Sequence, residues 1–181
     1  VKTVGTVNGN LTIGANSQVL APSSGSIVAH ALTVGGANNV HSTGSIVNNG
    51  ILDLNIVTAG VALNLFGRID GSLSGTGTTN DFYSITVNKS SAGLSLEAMF
   101  DVTIPITMSS PTASGSRLTI SNGTFRISSA STITPYYGTA TICASTSRFW
   151  LNHPSASVSV VTPGLAASGG IPTFSGELRI D

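Results

Sequence analysis

The sequence predicts an all-β chain folded as a right-handed parallel β-helix, a β-solenoid with about 20 residues per turn. Three observations carry that expectation. The first is self-similarity: Val7-Asn8-Gly9-Asn10-Leu11-Thr12-Ile13-Gly14 returns as Val28-Ala29-His30-Ala31-Leu32-Thr33-Val34-Gly35, and more loosely as Val47-Asn48-Asn49-Gly50-Ile51-Leu52-Asp53-Leu54. The second is composition. Val, Ile, Thr, Ser, Gly and Asn dominate, Gln18 is the only Gln, and Glu97 and Glu177 are the only Glu. Such a chain is rich in strand and turn formers and poor in the residues that make helix surfaces and capping boxes. The third is alternation. Leu11/Ile13, Leu32/Val34 and Leu52/Leu54 each sit two apart, which puts each pair on one strand face and Thr12, Thr33 and Asp53 on the other. Stacked turns would set the three pairs above one another in an interior column, and the crossover preference of parallel strands sets the hand.

Further strands are expected along the chain at 62–66, 84–88, 94–96, 102–104 and 106–108. Turn signals separate them at Ile69-Asp70-Gly71, Gly75-Thr76-Gly77 and Asn80-Asp81. The stretch from Arg117 to Ser128 reads as two alternating strands about a Ser121-Asn122-Gly123 turn. Its opening recurs in Leu178-Arg179-Ile180, about three turns later. Residues 1–181 read as a single solenoid segment, with a soft boundary near Ser109–Ser116 where Pro111 and small residues cluster. Both ends fall inside repeats, so the segment is expected to be a window on a longer array. Its open ends would be covered by flanking repeats of the same polypeptide or by a partner chain.

Charge excludes several functions. Charged residues make up 8% of the chain, against roughly 25% in ordinary domains. Seven acidic and seven basic residues cancel, so no basic footprint for nucleic acid or an anionic membrane surface is present. No apolar run is long enough for a membrane-spanning helix. The chain opens at Val1 with no leader pattern, so a signal peptide is expected upstream or already removed. Cys143 is alone and cannot form an internal disulfide; it reads as a small core residue on a strand.

Several strings resemble the repetitive β-helical regions of very large surface proteins of Bacteroidota. They are Gly75 to Lys89, Leu118 to Ser128, Phe149-Trp150-Leu151-Asn152-His153-Pro154 and the closing Gly176-Glu177-Leu178-Arg179-Ile180. The resemblance covers roughly residues 70–181, with looser similarity before. It implies a secreted or cell-surface location, export by type IX secretion machinery, and a place in an adhesin-like protein or surface filament. The C-terminal sorting domain of that route is not within these residues, and the resemblance supplies no catalytic residue.

The candidate chemistry is sparse. Asp53 and Asp70 stand about one turn apart and would stack on neighbouring turns, with Arg68 beside them, as the carboxylate pair of a β-helical carbohydrate-active enzyme requires. The alternative is structural, since Asp70-Gly71 is a good turn and Asp53 stands where earlier repeats carry Thr. His30, His41 and His153 lack metal-ligand spacing to one another or to Cys143, so neither a metal nor a cofactor is expected. Thr12, Thr33, Thr86 and Thr119 at matching outward positions suggest an ice-binding face, but Asp53 interrupts the column. The aromatics leave one speculative ligand site. On a strand, Phe149 and Leu151 share a face, and Trp150 shares the other with Arg148 and Asn152, a platform for stacking a sugar ring. The competing reading packs Trp150 over an irregular turn, with Tyr136 and Tyr137. The function expected is a non-catalytic stalk or scaffold; a glycan-binding module or carbohydrate-active enzyme is the alternative.

Overall fold

The computed structural model describes residues 4–21, 30–35, 43–55, 60–89, 98–108, 115–116, 118–133, 136–137, 141–158 and 173–181. It is an all-β parallel β-helix in which three parallel sheets run side by side along the axis. Sheet one takes Val4–Val7, His30–Val34, Val61–Leu65, Ser84–Asn88, the first half of Leu118–Ile127, Thr141–Cys143 and Thr173–Phe174. Sheet two takes Leu11–Ile13, Ile46–Asn48, Gly71–Ser74, Met99–Val102, the second half of Leu118–Ile127, Ser147–Leu151 and Glu177–Ile180. Sheet three takes Gln18–Leu20, Ile51–Asp53, Thr79–Asp81, Thr107–Met108, Thr132–Ile133 and Ser157–Val158. The chain visits the sheets in that order and climbs one turn per circuit. Gly115–Ser116 pairs antiparallel with Tyr136–Tyr137 beside this stack. Residues 109–114 of the expected soft boundary lie outside the described residues, as do His41 and the strand expected at 94–96.

Every sheet buries its inner face, and alternation along the strands decides which side chains go in. Val61–Leu65 reads buried, half-buried, buried, half-buried, buried, so Val61, Leu63 and Leu65 point inward while Ala62 and Asn64 point out. On sheet two an aliphatic column runs in register through Leu11, Ile46, Leu73, Val102, Ile127, Leu151 and Ile180. Beside it stand Phe100, Phe125 and Phe149. Their rings stack at 6.4 and 6.2 Å between centroids and 15° and 18° between planes. Such offset stacks add about 0.5–1.5 kcal/mol per pair beyond the burial itself.

The pairing register corrects five expectations. Partners on adjacent turns lie from 22 residues apart, Ala62 and Ser84, to 35 apart, Leu11 and Ile46, so a closed turn is longer than the spacing of the sequence repeats. Leu11, Leu32 and Leu52 do not form one column: they lie on sheets two, one and three. All three faces bury apolar pairs two apart, so the motif marks a strand without saying which face it belongs to. The expected hairpin-like break after Ile120 is instead one strand, Leu118–Ile127, bent as it passes from sheet one to sheet two at Gly123, whose φ is 81°. Leu178 and Ile180 therefore match Phe125 and Ile127 two turns earlier, through Phe149 and Leu151. Asn80-Asp81, expected as a turn, lies within the sheet-three strand Thr79–Asp81.

The corner between sheets two and three carries its own polar file. Asn48 and Asn80 are buried; the Asn48 amide donates to Asn80 Oδ1 at 2.9 Å, and Asn80 donates to the carbonyls of Gly77 and Pro105 at 3.1 and 3.0 Å. In later turns Ser129 and Ser131 take over, with Ile106 N donating to Ser131 Oγ at 3.1 Å and Ser129 Oγ donating to Ile104 O at 3.0 Å. Inward-facing backbone groups at a bend have no strand partner, and these side chains satisfy them.

Candidate functional site

Register places four charged or aromatic side chains in one file on the outer face of sheet two. Asp101, Arg126, Trp150 and Arg179 follow one another on consecutive turns. Arg126 Nη2 lies 2.6 Å from Asp101 Oδ2, a bond that raises the guanidinium further above its usual range. The guanidinium carbons of Arg126 and Arg179 lie 4.9 and 4.2 Å from the Trp150 ring centroid. These arginines sit on the strands either side of Trp150, so each covers one face of the indole. Trp150 Nε1 donates to Asp181 Oδ2 at 3.0 Å, and Arg179 Nη2 reaches the same oxygen at 2.8 Å, which holds the Asp181 carboxyl below its usual range.

Arg148 and Asn152, grouped with Trp150 by the sequence, are also engaged within the chain. Arg148 Nη2 meets Glu177 Oε2 at 2.6 Å, and Asn152 Nδ2 donates to Ser128 Oγ at 3.3 Å. Trp150 thus packs between guanidiniums rather than beneath a loop; the side chains of Tyr136 and Tyr137 lie outside those described. The Arg126–Trp150 cation–π contact, with the arginine partly buried, contributes about 0.5–1 kcal/mol.

Sheet three carries the carboxylates. Asp53 does not meet Asp70. Its in-register neighbour is Asp81, one turn on, whereas Asp70 is exposed at the bend before Gly71–Ser74 and accepts from Met99 N at 2.8 Å. Asn55 bridges the Asp53/Asp81 pair. Its N–H donates to Asp53 Oδ1 at 3.1 Å and its amide to both oxygens of Asp81 at 3.2 and 3.3 Å. The pair opens into a groove of about 360 Å³ with Thr78, Thr107 and Thr132 on its walls. Thr78 also borders a second groove, about 370 Å³, lined by Asn16, Gln18, Asn49, Ile51 and Thr76. Among the described residues neither Asp53 nor Asp81 joins a salt bridge. The sequence pointed to Asp53 but missed Asp81, because Asn-Asp is turn chemistry until a neighbouring strand claims it.

The chain matches no family model, no curated protein and no solved structure.

The remaining candidates disperse. Thr33, Thr86 and Thr119 share one outer file of sheet one with Thr6 and Asn64, but Thr12 is on sheet two. Among the described residues no group of three or more His, Cys, Asp and Glu is arranged to hold a metal ion, and no helix is long and apolar enough to cross a membrane. His153 Nδ1 accepts from Ser155 N at 3.0 Å, a local turn bond; the His30 side chain lies outside those described. Cys143 is fully buried on sheet one, as its sequence setting suggested. Its Sγ lies 3.2 Å from Ser147 Oγ, and burial pushes the thiol pKa up.

Proposed function

We propose that this chain is a non-catalytic stalk or scaffold segment of a secreted or surface-anchored adhesin-like protein. The observation that carries the reading is the use made of the outward polar groups. Arg126 with Asp101, Arg148 with Glu177, and Trp150 with Arg126, Arg179 and Asp181 all join one turn to the next. Side chains arranged for catalysis converge on one reacting atom; these run along the axis and brace it. Strand hydrogen bonds between turns act in the same direction, so the fold is a stiff spacer.

Phe174, Leu178 and Ile180 end columns that are buried elsewhere, yet they are 39%, 50% and 69% exposed. A further β-turn, from flanking repeats of the same polypeptide or from a covering partner chain, would bury them. The surface location, the type IX export route and the Bacteroidota adhesin context rest on the sequence resemblance.

A second reading, a glycan-binding or carbohydrate-active module, is favoured by the two sheet-three grooves that share Thr78 and by the Asp53/Asp81 pair. Neighbouring parallel strands are about 4.8 Å apart, near the carboxyl separation of about 5–5.5 Å used by retaining glycosidases. A polysaccharide panel separates the two. The scaffold reading expects no new reducing ends and no unsaturated products. Turnover by the parent that is lost in Asp53→Asn/Asp81→Asn replaces it with the enzyme.

A further inference from the structure

Among the described residues Lys89 is the one Lys or Arg in the fully buried interior. It follows the sheet-one strand Ser84–Asn88, and its ammonium donates to the backbone carbonyls of Thr43 and Phe66. Those carbonyls belong to the two preceding turns. Gly71 and Gly123 stand against this side chain and also let backbone pass: a Cβ on Gly71 would first strike the Thr43 carbonyl oxygen, and one on Gly123 the Ala98 carbonyl oxygen. A Cβ on Gly71 would stand 3.2 Å from Lys89 Nζ, and one on Gly123, in the following turn, 2.9 Å from Lys89 Cβ. Four consecutive turns are thus shaped around one ammonium group and its stem.

The apolar core offers no such selectivity. Leu11, Ile46, Leu73, Val102, Ile127, Leu151 and Ile180 fill one column with residues of similar size. If one whole turn looped out and its neighbours closed over the gap, aliphatic side chains would still meet aliphatic side chains. Repetition makes that error cheap. It would, however, part Lys89 from Phe66 O or Thr43 O and leave a buried charge short of an acceptor. A single buried polar group fixing register is the best-attested use of such groups in repetitive folds.

We propose that Lys89 is the register lock of this β-helix: its ammonium, the Thr43 and Phe66 carbonyls and the side-chain-free Gly71 and Gly123 select the one stacking order in which these turns are consecutive. The inference concerns how the chain finds its fold and does not depend on the stalk reading.

The test uses disulfides as register reporters. Ala62 and Ser84 are in-register neighbours on the outer face of sheet one, and Ala31 lies one turn beyond Ala62. Strand neighbours lie within disulfide reach, while positions two strands apart do not. Ala62→Cys/Ser84→Cys therefore reports the native order, and Ala31→Cys/Ser84→Cys closes only when the turn between them loops out. With Lys89 present, only the first pair should oxidise on refolding. With Lys89→Met, the second pair should oxidise at least tenfold more than in the parent. Oxidation of the two pairs in Lys89→Met as in the parent overturns the proposal. If Lys89→Met alone does not fold, the lock requires that a preformed 62–84 disulfide restore folding; an unfolded stapled variant overturns it equally.

Discussion

Raising the pH from 8 to about 10.5 should make this protein more stable, and Lys89 sets the sign. Burial lowers the Lys89 pKa from 10.5 to about 8, with the Asp70 charge opposing that shift. In this window the folded chain has released the Lys89 proton while the unfolded chain still holds it. The unfolded state binds more protons, so unfolding free energy rises with pH. Below pH 8 the whole penalty of burying the charge is present; above about 10.5 it is gone. At 1.36 kcal/mol per pKa unit the span is about 3 kcal/mol. The assay is urea unfolding at half-unit steps from pH 7 to 10.5, for the parent and for Lys89→Met. Every other group is common to both proteins, so the difference between the two curves isolates Lys89. The difference should grow by about 3 kcal/mol across the window. Parallel curves would refute the assignment of a buried, charged Lys89.

Three further outcomes follow from the packing. Phe125→Ala removes the middle ring of the stack from a fully buried site and should destabilise by about 3–5 kcal/mol in chemical denaturation. Trp150→Ala should cost about 1–2 kcal/mol, and a double-mutant cycle with Arg126→Ala should give a coupling of about 0.5–1 kcal/mol; additive losses would mean the stacked geometry contributes nothing. Cys143, buried and with its thiol pKa raised, should react with a thiol reagent at neutral pH only as fast as the protein opens; reaction at the rate of a free thiol would place it on the surface.

How far the sequence disclosed this molecule depends on the element. The parallel β-helix was legible because apolar pairs two apart recur along the chain, and Leu63/Leu65 and Ile85/Val87 are placed inward as alternation requires. The stacking order was not. Nine residues lie between Leu20 and His30, whereas only two lie between Asp81 and Ser84, so unequal connections blur the turn length and the repeat motif cannot say which face it lies on. Strand status of Asn80-Asp81 comes from pairing with Ile51–Asp53, a tertiary effect that overrides turn propensity. That Arg148 and Trp150 share the outer face of one strand was legible from alternation about Phe149. Their partners Arg126 and Glu177 needed the register. Lys89 had no signal of its own, since a lysine after a strand ordinarily faces water; only the register brings Gly71 and Gly123 around it.

Pulling a single molecule from its two ends shows whether the turns act together as the stiff spacer proposed. Turns of 22 to 35 residues lengthen the tether by about 7–12 nm each at 3.3–3.6 Å per residue. A stalk braced from turn to turn predicts a series of force peaks separated by such steps. Smooth extension at thermal forces, with no peaks, would contradict it.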